Sequence, residues 1–201
     1  MIKLRISSKH PDKKKIGIAA QIIKAGGIAI FPTETVYGLG ASPYNKKAVN
    51  KIFKLKGRSL KKPLAVIISD PIQVRPLVKH ISRQARTLMK RYWPGPLTLI
   101  FNKSSKIPSY VTAGGRTLGI RMPDDPITRE LIKAAGMPIV ATSANRSGAK
   151  DPFTAKEAIR QLKQADVVID GGRTRLRKPS TVIDVTGKRM KILRKGSLSK
   201  L

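Results

Sequence analysis

Four clusters of polar or cationic side chains could carry chemistry in this sequence. The first follows the apolar run 28–31 and reads Pro32-Thr33-Glu34-Thr35-Val36-Tyr37-Gly38-Leu39-Gly40. Its threonines and its carboxylate could orient a small ligand, and its glycines let the backbone bend. The same composition is typical of a hairpin-like turn, so this cluster alone does not separate a site from a turn.

The second cluster is cationic and surrounds Gly57. It consists of Lys56, Arg58, Lys61 and Lys62. Lysine offers a point charge and arginine a bidentate fork, so the mixture suits a polyphosphate better than a single carboxylate. In a chain this basic, a solvated surface loop is an equally good interpretation.

The other two clusters also follow predicted strands. The run Ser143-Ala144-Asn145-Arg146-Ser147-Gly148 supplies small donors and acceptors that could orient a ligand. Arg121 ends an apolar run and could hold a carboxylate at two points. Its alternative partner is Asp124 or Asp125 in an ion pair. Because α/β proteins bind ligands beyond the carboxyl ends of their strands, all four clusters are site candidates.

Absent residue types and motifs exclude several functions. The chain has no cysteine, which excludes disulfides, thiolate nucleophiles and sulfur-ligated metals. His10 and His80 are its only histidines, too few for a multi-histidine metal site. No P-loop motif is present, and Gly38-x-Gly40 lacks the third glycine of the dinucleotide fingerprint. The scattered acidic residues predict no dedicated metal site, so we expect Mg²⁺ to be bound mainly by substrate phosphates.

Helices and strands alternate along the chain and must position these clusters. Helical spacing of apolar residues is found in 16–23, 49–53, 85–92, 127–131 and 159–162, with caps predicted at Asn45, Ser82, Asp125 and Thr154. Glu157 would complete a capping box with Thr154. Strands are predicted over Ile28–Phe31, Leu64–Ile68, Leu97–Phe101, Leu118–Met122, Ile139–Thr142, Val167–Asp170, Thr181–Val185 and Met190–Leu193. We expect one α/β domain, 1–201, with a mixed sheet that includes antiparallel pairs near its C-terminal end.

The charge balance points to an anionic partner. Among 201 residues, 40% are apolar, as in ordinary globular proteins, but 42 Lys and Arg face 11 Asp and Glu, a net charge of +31. Such a field attracts nucleic acid, nucleotide phosphates or an anionic membrane surface. No apolar run reaches the roughly 20 residues that span a bilayer, and the basic N-terminus is not a signal peptide. We therefore expect a soluble, cytoplasmic protein.

Read together, six segments resemble the YrdC-type threonylcarbamoyl-adenylate synthases, over a match from Gly27 to Gly196. The segments are Phe31-Pro32-Thr33-Glu34-Thr35-Val36-Tyr37-Gly38-Leu39, Lys56-Gly57-Arg58 with Lys62-Pro63-Leu64, Trp93-Pro94-Gly95-Pro96-Leu97-Thr98, Gly119-Ile120-Arg121-Met122-Pro123, 141–148 and Pro179-Ser180-Thr181-Val182-Ile183-Asp184. The resemblance implies a YrdC/RibB-like twisted mixed sheet, flanked by helices, with a large, positively charged concave cavity. It also implies a nucleotidyltransferase that forms threonylcarbamoyl-adenylate and pyrophosphate from L-threonine, bicarbonate and ATP, for modification of the tRNA adenosine beside the anticodon.

The resemblance assigns residues to each substrate. By this resemblance, the catalytic residues would be Lys56, Arg58, Ser143 and Asn145, which form the Lys-x-Arg and Ser-x-Asn motifs around ATP. Lys62 and Arg194 would be further ATP contacts. The threonine pocket would contain Thr33, Thr35, Arg121 and Thr181, with Arg121 on the carboxylate. We expect Arg58→Ala and Asn145→Ala to reduce turnover more than folding.

The sequence departs from the family pattern in three places. Ser59 stands where many members have proline, and Ala65–Ile68 offers no histidine where some longer members have one. The chain ends soon after Gly196, without the extra C-terminal domain of the longer members. We therefore expect the cavity to be closed by other parts of the 1–201 domain or by a partner protein.

Two other functions remain open from the sequence. A non-catalytic module that binds tRNA or double-stranded RNA would use the basic runs Lys13-Lys14-Lys15 and Arg173-Thr174-Arg175-Leu176-Arg177-Lys178. With 4 Phe, 4 Tyr and 1 Trp, such a module would follow the RNA backbone more than stack on bases. A relative with another carbamoyl or nucleotide chemistry is the third possibility. As an enzyme, the protein would pass its intermediate to downstream threonylcarbamoyl-transferase proteins.

Overall fold

The computed structural model describes residues 1–198, in which ten strands form one sheet and five α-helices pack against it. The strands are β1 Ile2–Arg5, β2 Ala29–Phe31, β3 Gly38–Ala41, β4 Ala65–Ile67, β5 Leu97–Asn102, β6 Thr117–Arg121, β7 Ile139–Ser143, β8 Val167–Asp170, β9 Thr181–Asp184 and β10 Lys191–Arg194. The helices are α1 Lys13–Lys24, α2 Lys46–Lys56, α3 Arg83–Tyr92, α4 Pro126–Ala135 and α5 Ala155–Gln161, with a 3-10 helix over Pro71–Leu77. Positions 199–201 of the expected domain lie outside the described residues. No helix within 1–198 is long and apolar enough to cross a membrane.

The sheet is mixed, as predicted. Its strand order is β1-β8-β2-β3-β7-β4-β6-β5-β9-β10. The pairs β1–β8, β2–β8, β4–β6 and β5–β9 are parallel, whereas the other neighbours are antiparallel, including β9–β10 near the C-terminal end. The sheet therefore combines hairpins with crossover connections.

Side-chain caps begin the helices where the sequence predicts them. Asn45, Ser82, Asp125 and Thr154 each accept a hydrogen bond from the backbone N–H three residues later. The capping box differs from the prediction, since the Glu157 carboxylate accepts from the N–H of Phe153 and not from that of Thr154. This bond still satisfies a backbone donor next to the first turn of α5.

Strand β3 corrects the interpretation of residues 38–40 as part of a turn. The segment pairs antiparallel with β2 and with β7, so the turn joins β2 to β3 in a β-hairpin. A Cβ on Gly38 would lie 2.7 Å from Phe31 Cε2, and one on Gly40 would lie 2.6 Å from the Val140 carbonyl oxygen. These glycines therefore allow close packing inside the sheet.

The two faces of the sheet are covered unequally. Buried residues of α2, α3 and α5 share one apolar cluster with strand residues such as Ile30, Val66 and Leu99. On the opposite face, α1 and α4 pack on Phe31, Ile67 and neighbours toward the β1 end. Because side chains alternate between faces along a strand, the rest of this second face is free to line a cavity.

Candidate active site

A cavity of about 320 Å³, which we call the main cavity, lies on the partly covered face of the sheet. Its strand residues repeat at every second position, as in Ala65 and Ile67 or Thr117, Gly119 and Arg121. Glycine and alanine at positions 38, 65, 119 and 141 keep the side chains of its floor short. The space for a ligand thus results from small residues on the pleat of the sheet.

Six of the residues expected to bind ATP or threonine line this cavity. They come from the turn after β2, the loop after α2 and the last residues of three strands, and they are Thr33, Thr35, Arg58, Arg121, Ser143 and Arg194. The sequence analysis missed Thr98, Asp151 and Ser180, which line it as well. Thr98 and Ser180 belong to the quoted family segments, whereas Asp151 lies beyond them. Three arginines and one carboxylate are the charged groups of the lining.

Lys56 and Asn145 lie behind the cavity lining. Lys56 falls on the apolar face of α2, is 3% exposed, and donates from Nζ to the Ser143 carbonyl (2.5 Å), the Asn145 carbonyl (2.6 Å) and Asn145 Oδ1 (3.1 Å). The Ser143 hydroxyl donates to Asn145 Oδ1 at 2.6 Å, and Asn145 Nδ2 donates to the Ala149 carbonyl at 2.6 Å. The Lys-x-Arg and Ser-x-Asn motifs are therefore joined through one buried ammonium group.

The environment of Lys56 favours its neutral form more than water does. The pKa of Lys56 is lowered to about 8, mainly by burial and also by the positive charge of Arg58, while the carboxylate of Asp151 opposes both effects. With three acceptors around Nζ, the protonated form uses all three of its N–H donors. The network is complete only while Lys56 is charged.

Lys62 and Thr181 are not brought to the cavity. The Lys62 side chain is exposed, and its carbonyl accepts from Arg58 Nε at 3.3 Å, while Arg58 Nη2 donates to the Pro63 carbonyl at 2.9 Å. The hydroxyl of Thr181, which is 1% exposed, accepts from the N–H groups of Gly196 and Leu198. Its neighbours in sequence, Ser180 and Val182, line the cavity instead. Thr181 therefore anchors the segment after β10.

Arg121 is held by a network that the sequence analysis did not identify. It forms an ion pair with Glu34 (Nη2 to Oε2, 2.6 Å), and it donates from Nη1 to the Thr35 hydroxyl at 2.9 Å and from Nε to the Gly95 carbonyl at 3.2 Å. The alternative pairing with Asp124 or Asp125 is wrong. Asp124 pairs with Arg175 at 2.6 Å, and Asp125 caps α4.

The turn that carries Glu34 is itself ordered by its threonines. Thr33 and Thr35 share a hydrogen bond between their hydroxyls at 2.8 Å, and the Thr33 hydroxyl donates to the Val36 carbonyl at 2.7 Å. Both side chains are buried, so these bonds fix the position of the Thr35 hydroxyl beside Arg121. One edge of the cavity therefore presents a guanidinium and hydroxyls in a fixed arrangement.

Arg194 is held in the lining by Ser180. Its Nε donates to the Ser180 carbonyl at 3.0 Å and its Nη2 to the Ser180 hydroxyl at 3.1 Å, while that hydroxyl also shares a hydrogen bond with Thr98 at 2.8 Å. The pKa values of Arg194 and Arg58 are both lowered, because burial partly removes the two guanidinium groups from water. Such groups attract phosphate oxygens more strongly than fully solvated ones do.

Comparisons with known proteins agree with the resemblance of the motifs. The family model of the Sua5, YciO and YrdC proteins, described as "Telomere recombination", matches residues 21–196. The chain is 44% identical over 188 residues to the threonylcarbamoyl-AMP synthase of Pyrococcus abyssi, which covers 93% of this chain and 55% of that protein. It is 42% identical over 197 residues to the Bacillus subtilis enzyme of the same name, which covers 97% of this chain and 56% of that protein.

The comparison with solved structures agrees with the comparison of sequences. The structure of P. abyssi Sua5 complexed with L-threonine matches with a TM-score of 0.94 and 41% identity, covering 98% of this chain and 58% of that chain. This chain thus spans a little over half the length of the P. abyssi and B. subtilis relatives. The family match covers most of the chain, and the twisted mixed sheet agrees with it. The chain therefore belongs to the Sua5/YciO/YrdC family.

Proposed function

We propose that this chain catalyses formation of threonylcarbamoyl-adenylate from L-threonine, bicarbonate and ATP. One observation carries the proposal: a single cavity brings the Thr33, Thr35 and Arg121 side chains together with those of Arg58, Ser143 and Arg194. The first three suit an amino acid with a carboxylate and a hydroxyl, and the last three suit phosphates. Two similar proteins carry the name threonylcarbamoyl-AMP synthase, and the similar Sua5 structure holds L-threonine.

In the proposed reaction, the protein aligns two anions and neutralises charge. The threonine amine attacks bicarbonate and forms a carbamate with loss of water; a carbamate oxygen then attacks the α-phosphorus, and pyrophosphate leaves. Arg121 would hold the threonine carboxylate in a pocket beside Thr33 and Thr35, while Arg58 and Arg194 would contact the phosphates. Alignment of the reacting groups and stabilisation of developing charge are the main contributions such a site can make.

Lys56 and Asn145 act in this proposal through Ser143. Because the Lys56 ammonium binds the carbonyls of Ser143 and Asn145, it fixes the backbone that presents the Ser143 hydroxyl to the cavity. Asn145 accepts from that hydroxyl and so sets its direction. Lys62, on the exposed loop, and Thr181, on the far face of β9, remain predictions without support from the cavity geometry.

In this proposal, a Mg²⁺ ion is held mainly by the phosphates of ATP. Within residues 1–198, no group of three or more His, Asp or Glu side chains is arranged to hold a metal ion on its own. One acidic residue, Asp151, lines the cavity. When bound with the nucleotide, Mg²⁺ would supply charge neutralisation at the phosphates.

The test is release of pyrophosphate from ATP by the purified protein, with L-threonine and bicarbonate each present or omitted and the product identified by mass. We expect release to depend on both substrates and the product to be threonylcarbamoyl-adenylate. Turnover of ATP without threonine would instead support another carbamoyl or nucleotide chemistry. Intact ATP under every condition, with a folded protein that binds tRNA, would support the non-catalytic function.

Binding of tRNA or double-stranded RNA is the second candidate function. The observation that favours it is the exposure of both basic runs, Lys13–Lys15 and the cationic residues of 173–178. Such binding is compatible with catalysis, because these residues do not line the main cavity. The product would then pass to threonylcarbamoyl-transferase proteins that act on tRNA, and we place this reaction in the cytoplasm.

A further inference from the structure

Asp151 is the acidic residue among those that line the main cavity in the described part of the chain. The other charged side chains of this lining are the guanidinium groups of Arg58, Arg121 and Arg194. A site that attracted phosphate by positive charge alone would bind it more weakly with a carboxylate present, because like charges repel. The position of Asp151 therefore needs a specific explanation.

Asp151 is not explained by an ion pair with one of the arginines of the lining. Among residues 1–198, the Asp151 carboxylate makes no hydrogen bond and no ion pair within 4.0 Å, in contrast to Glu34 with Arg121 or Asp124 with Arg175. Arg58 donates to two loop carbonyls, and Arg194 donates to Ser180. The carboxylate thus keeps its acceptor atoms available to a ligand.

The backbone on both sides of Asp151 is nonetheless fixed. The carbonyl of Ala149 accepts from Asn145 Nδ2 at 2.6 Å, and that of Lys150 accepts from Gln161 Nε2 at 3.0 Å. On the other side, the Pro152 carbonyl accepts from the N–H of Tyr37 at 2.9 Å. These bonds connect the segment to the Ser-x-Asn motif and to the hairpin of β2 and β3, so the backbone that carries Asp151 has a defined place beside the cavity.

The charge of Asp151 acts on the groups expected to face the nucleotide. For both Lys56 and Arg194, burial is the largest effect and lowers the pKa, whereas the negative charge of Asp151 raises it. Asp151 and Arg194, which we assign to phosphate, line the same cavity, and a bound triphosphate would bring further negative charge beside Asp151. A divalent cation between the two would turn this repulsion into attraction, and proteins commonly bind Mg²⁺ through one or two carboxylates together with substrate phosphates.

We propose that Asp151 is the side chain through which this protein holds the Mg²⁺ ion that accompanies ATP, either directly or through a water molecule. The inference rests on the ATP site of the proposed function and adds a residue outside the motifs that carry the family resemblance. It makes Asp151 a residue that links the affinity for the nucleotide to the presence of the metal ion.

The test measures the dissociation constant of ATP by calorimetry, in EDTA and in excess Mg²⁺, for the wild-type protein and for Asp151→Asn. In EDTA we expect the variant to bind ATP more tightly than wild type, because a repulsive charge is lost. In Mg²⁺ we expect it to bind more weakly, because a metal ligand is lost. Each change should be about threefold to tenfold, as for a single, partly solvated charge interaction.

A matched control separates this effect from net charge. Glu130→Gln removes one negative charge from α4, where Glu130 pairs with Lys133 and does not line the cavity. We expect it to change ATP affinity equally in EDTA and in Mg²⁺. Asp151→Ser serves as a second variant, and circular dichroism checks that each variant is folded.

Four outcomes would overturn the inference. The first is an Asp151→Asn variant that binds ATP more tightly than wild type under both conditions, which is simple repulsion, and the second is a variant that binds ATP as tightly as wild type under both. A change confined to the affinity for L-threonine would assign Asp151 to the amino group of that substrate. Wild-type protein that binds ATP with Mg²⁺ but releases no pyrophosphate would contradict the proposed function while leaving this test decisive; wild type that binds no ATP would contradict both.

Discussion

At the scale of single residues, Lys56 connects the two motifs that the family resemblance rests on. Its position on α2 follows Val49, Ile52 and Phe53 at helical spacing, so it lies on the buried face and not on the loop that follows. The buried ammonium replaces water with three protein oxygens, two from Asn145 and one from Ser143. A buried charge of this kind is tolerated because its donors are satisfied.

This environment predicts opposite pH dependences for stability and activity. Folded Lys56 loses its proton near pH 8, whereas its ordinary pKa is 10.5. Between these values the unfolded state binds more protons, so the contribution of Lys56 to stability rises with pH. Relative to Lys56→Met, the unfolding free energy of wild type should rise by about 2 kcal/mol from about pH 7 to about pH 10.

Activity should fall over the same window. Neutral Lys56 has two N–H donors for three acceptors, so the support of Ser143 weakens as the proton leaves. Denaturant unfolding and turnover, each measured across the pH range for both proteins, check the two trends. A constant difference in unfolding free energy between wild type and Lys56→Met would contradict the pKa on which this prediction rests.

Arg58→Ala should reduce activity with little loss of stability. Arg58 is half-buried, and its guanidinium donates to carbonyls of its own exposed loop. We expect kcat/KM for ATP to fall about a hundredfold and the unfolding free energy to change by less than about 1 kcal/mol. Arg146→Ala, an exposed arginine outside the cavity, is the control that should leave both unchanged.

The structure predicts a different outcome for Asn145→Ala than for Arg58→Ala. Asn145 is 7% exposed and bonds to Lys56, Ser143 and Ala149, so Asn145→Ala would leave a buried ammonium short of acceptors. Its loss should lower stability as well as turnover. Comparable activity losses in Arg58→Ala and Asn145→Ala would therefore have different causes.

At the scale of elements, the glycines of β3 give the sharpest prediction. An alanine Cβ at position 40 would lie 2.6 Å from the backbone oxygen of Val140, which cannot move without shifting β7. Gly40→Ala should therefore destabilise the fold by about 2 to 3 kcal/mol. Gly17→Ala is the matched control, because a Cβ there meets nothing within 4 Å on α1 and should stabilise the helix by about 0.5 to 1 kcal/mol. Thermal or denaturant unfolding of the two variants checks both signs.

The same elements show what the sequence could and could not predict. Helices were predictable because caps such as Asn45 and Asp125 and the apolar spacing act within one segment. Strand β3 was missed because its glycines are explained by Phe31 and Val140 in other strands. Thr181 points away from the cavity because side chains alternate along β9 and its neighbours Ser180 and Val182 line the cavity. This alternation could have been predicted from the sequence. The Arg121–Glu34 pair depends on the fold bringing β6 beside the turn after β2, which no local pattern encodes.

At the scale of the whole molecule, unequal covering of the sheet creates the site. Helices α2, α3 and α5 bury one face, whereas α1 and α4 cover the other only toward the β1 end. The remaining strands of that face, with small side chains at Gly119, Ala65 and Ala141, form the cavity floor. The ends of several strands then deliver their polar groups to its rim, which is why residues distant in sequence share one site.

The net charge of +31 predicts how the molecule as a whole meets RNA. Binding to tRNA should weaken steeply with salt, because each phosphate that is neutralised releases a counterion. If the exposed run 173–178 contacts the backbone, the double variant Arg177→Gln and Lys178→Gln should reduce the slope of log K against log salt by about two. Lys46→Gln with Lys47→Gln removes the same charge from the exposed start of α2 and should change the slope less. Equal slopes for both pairs would show a diffuse field without a local contact. Pyrophosphate release without tRNA should be unchanged in both double variants, since none of these four residues lines the main cavity.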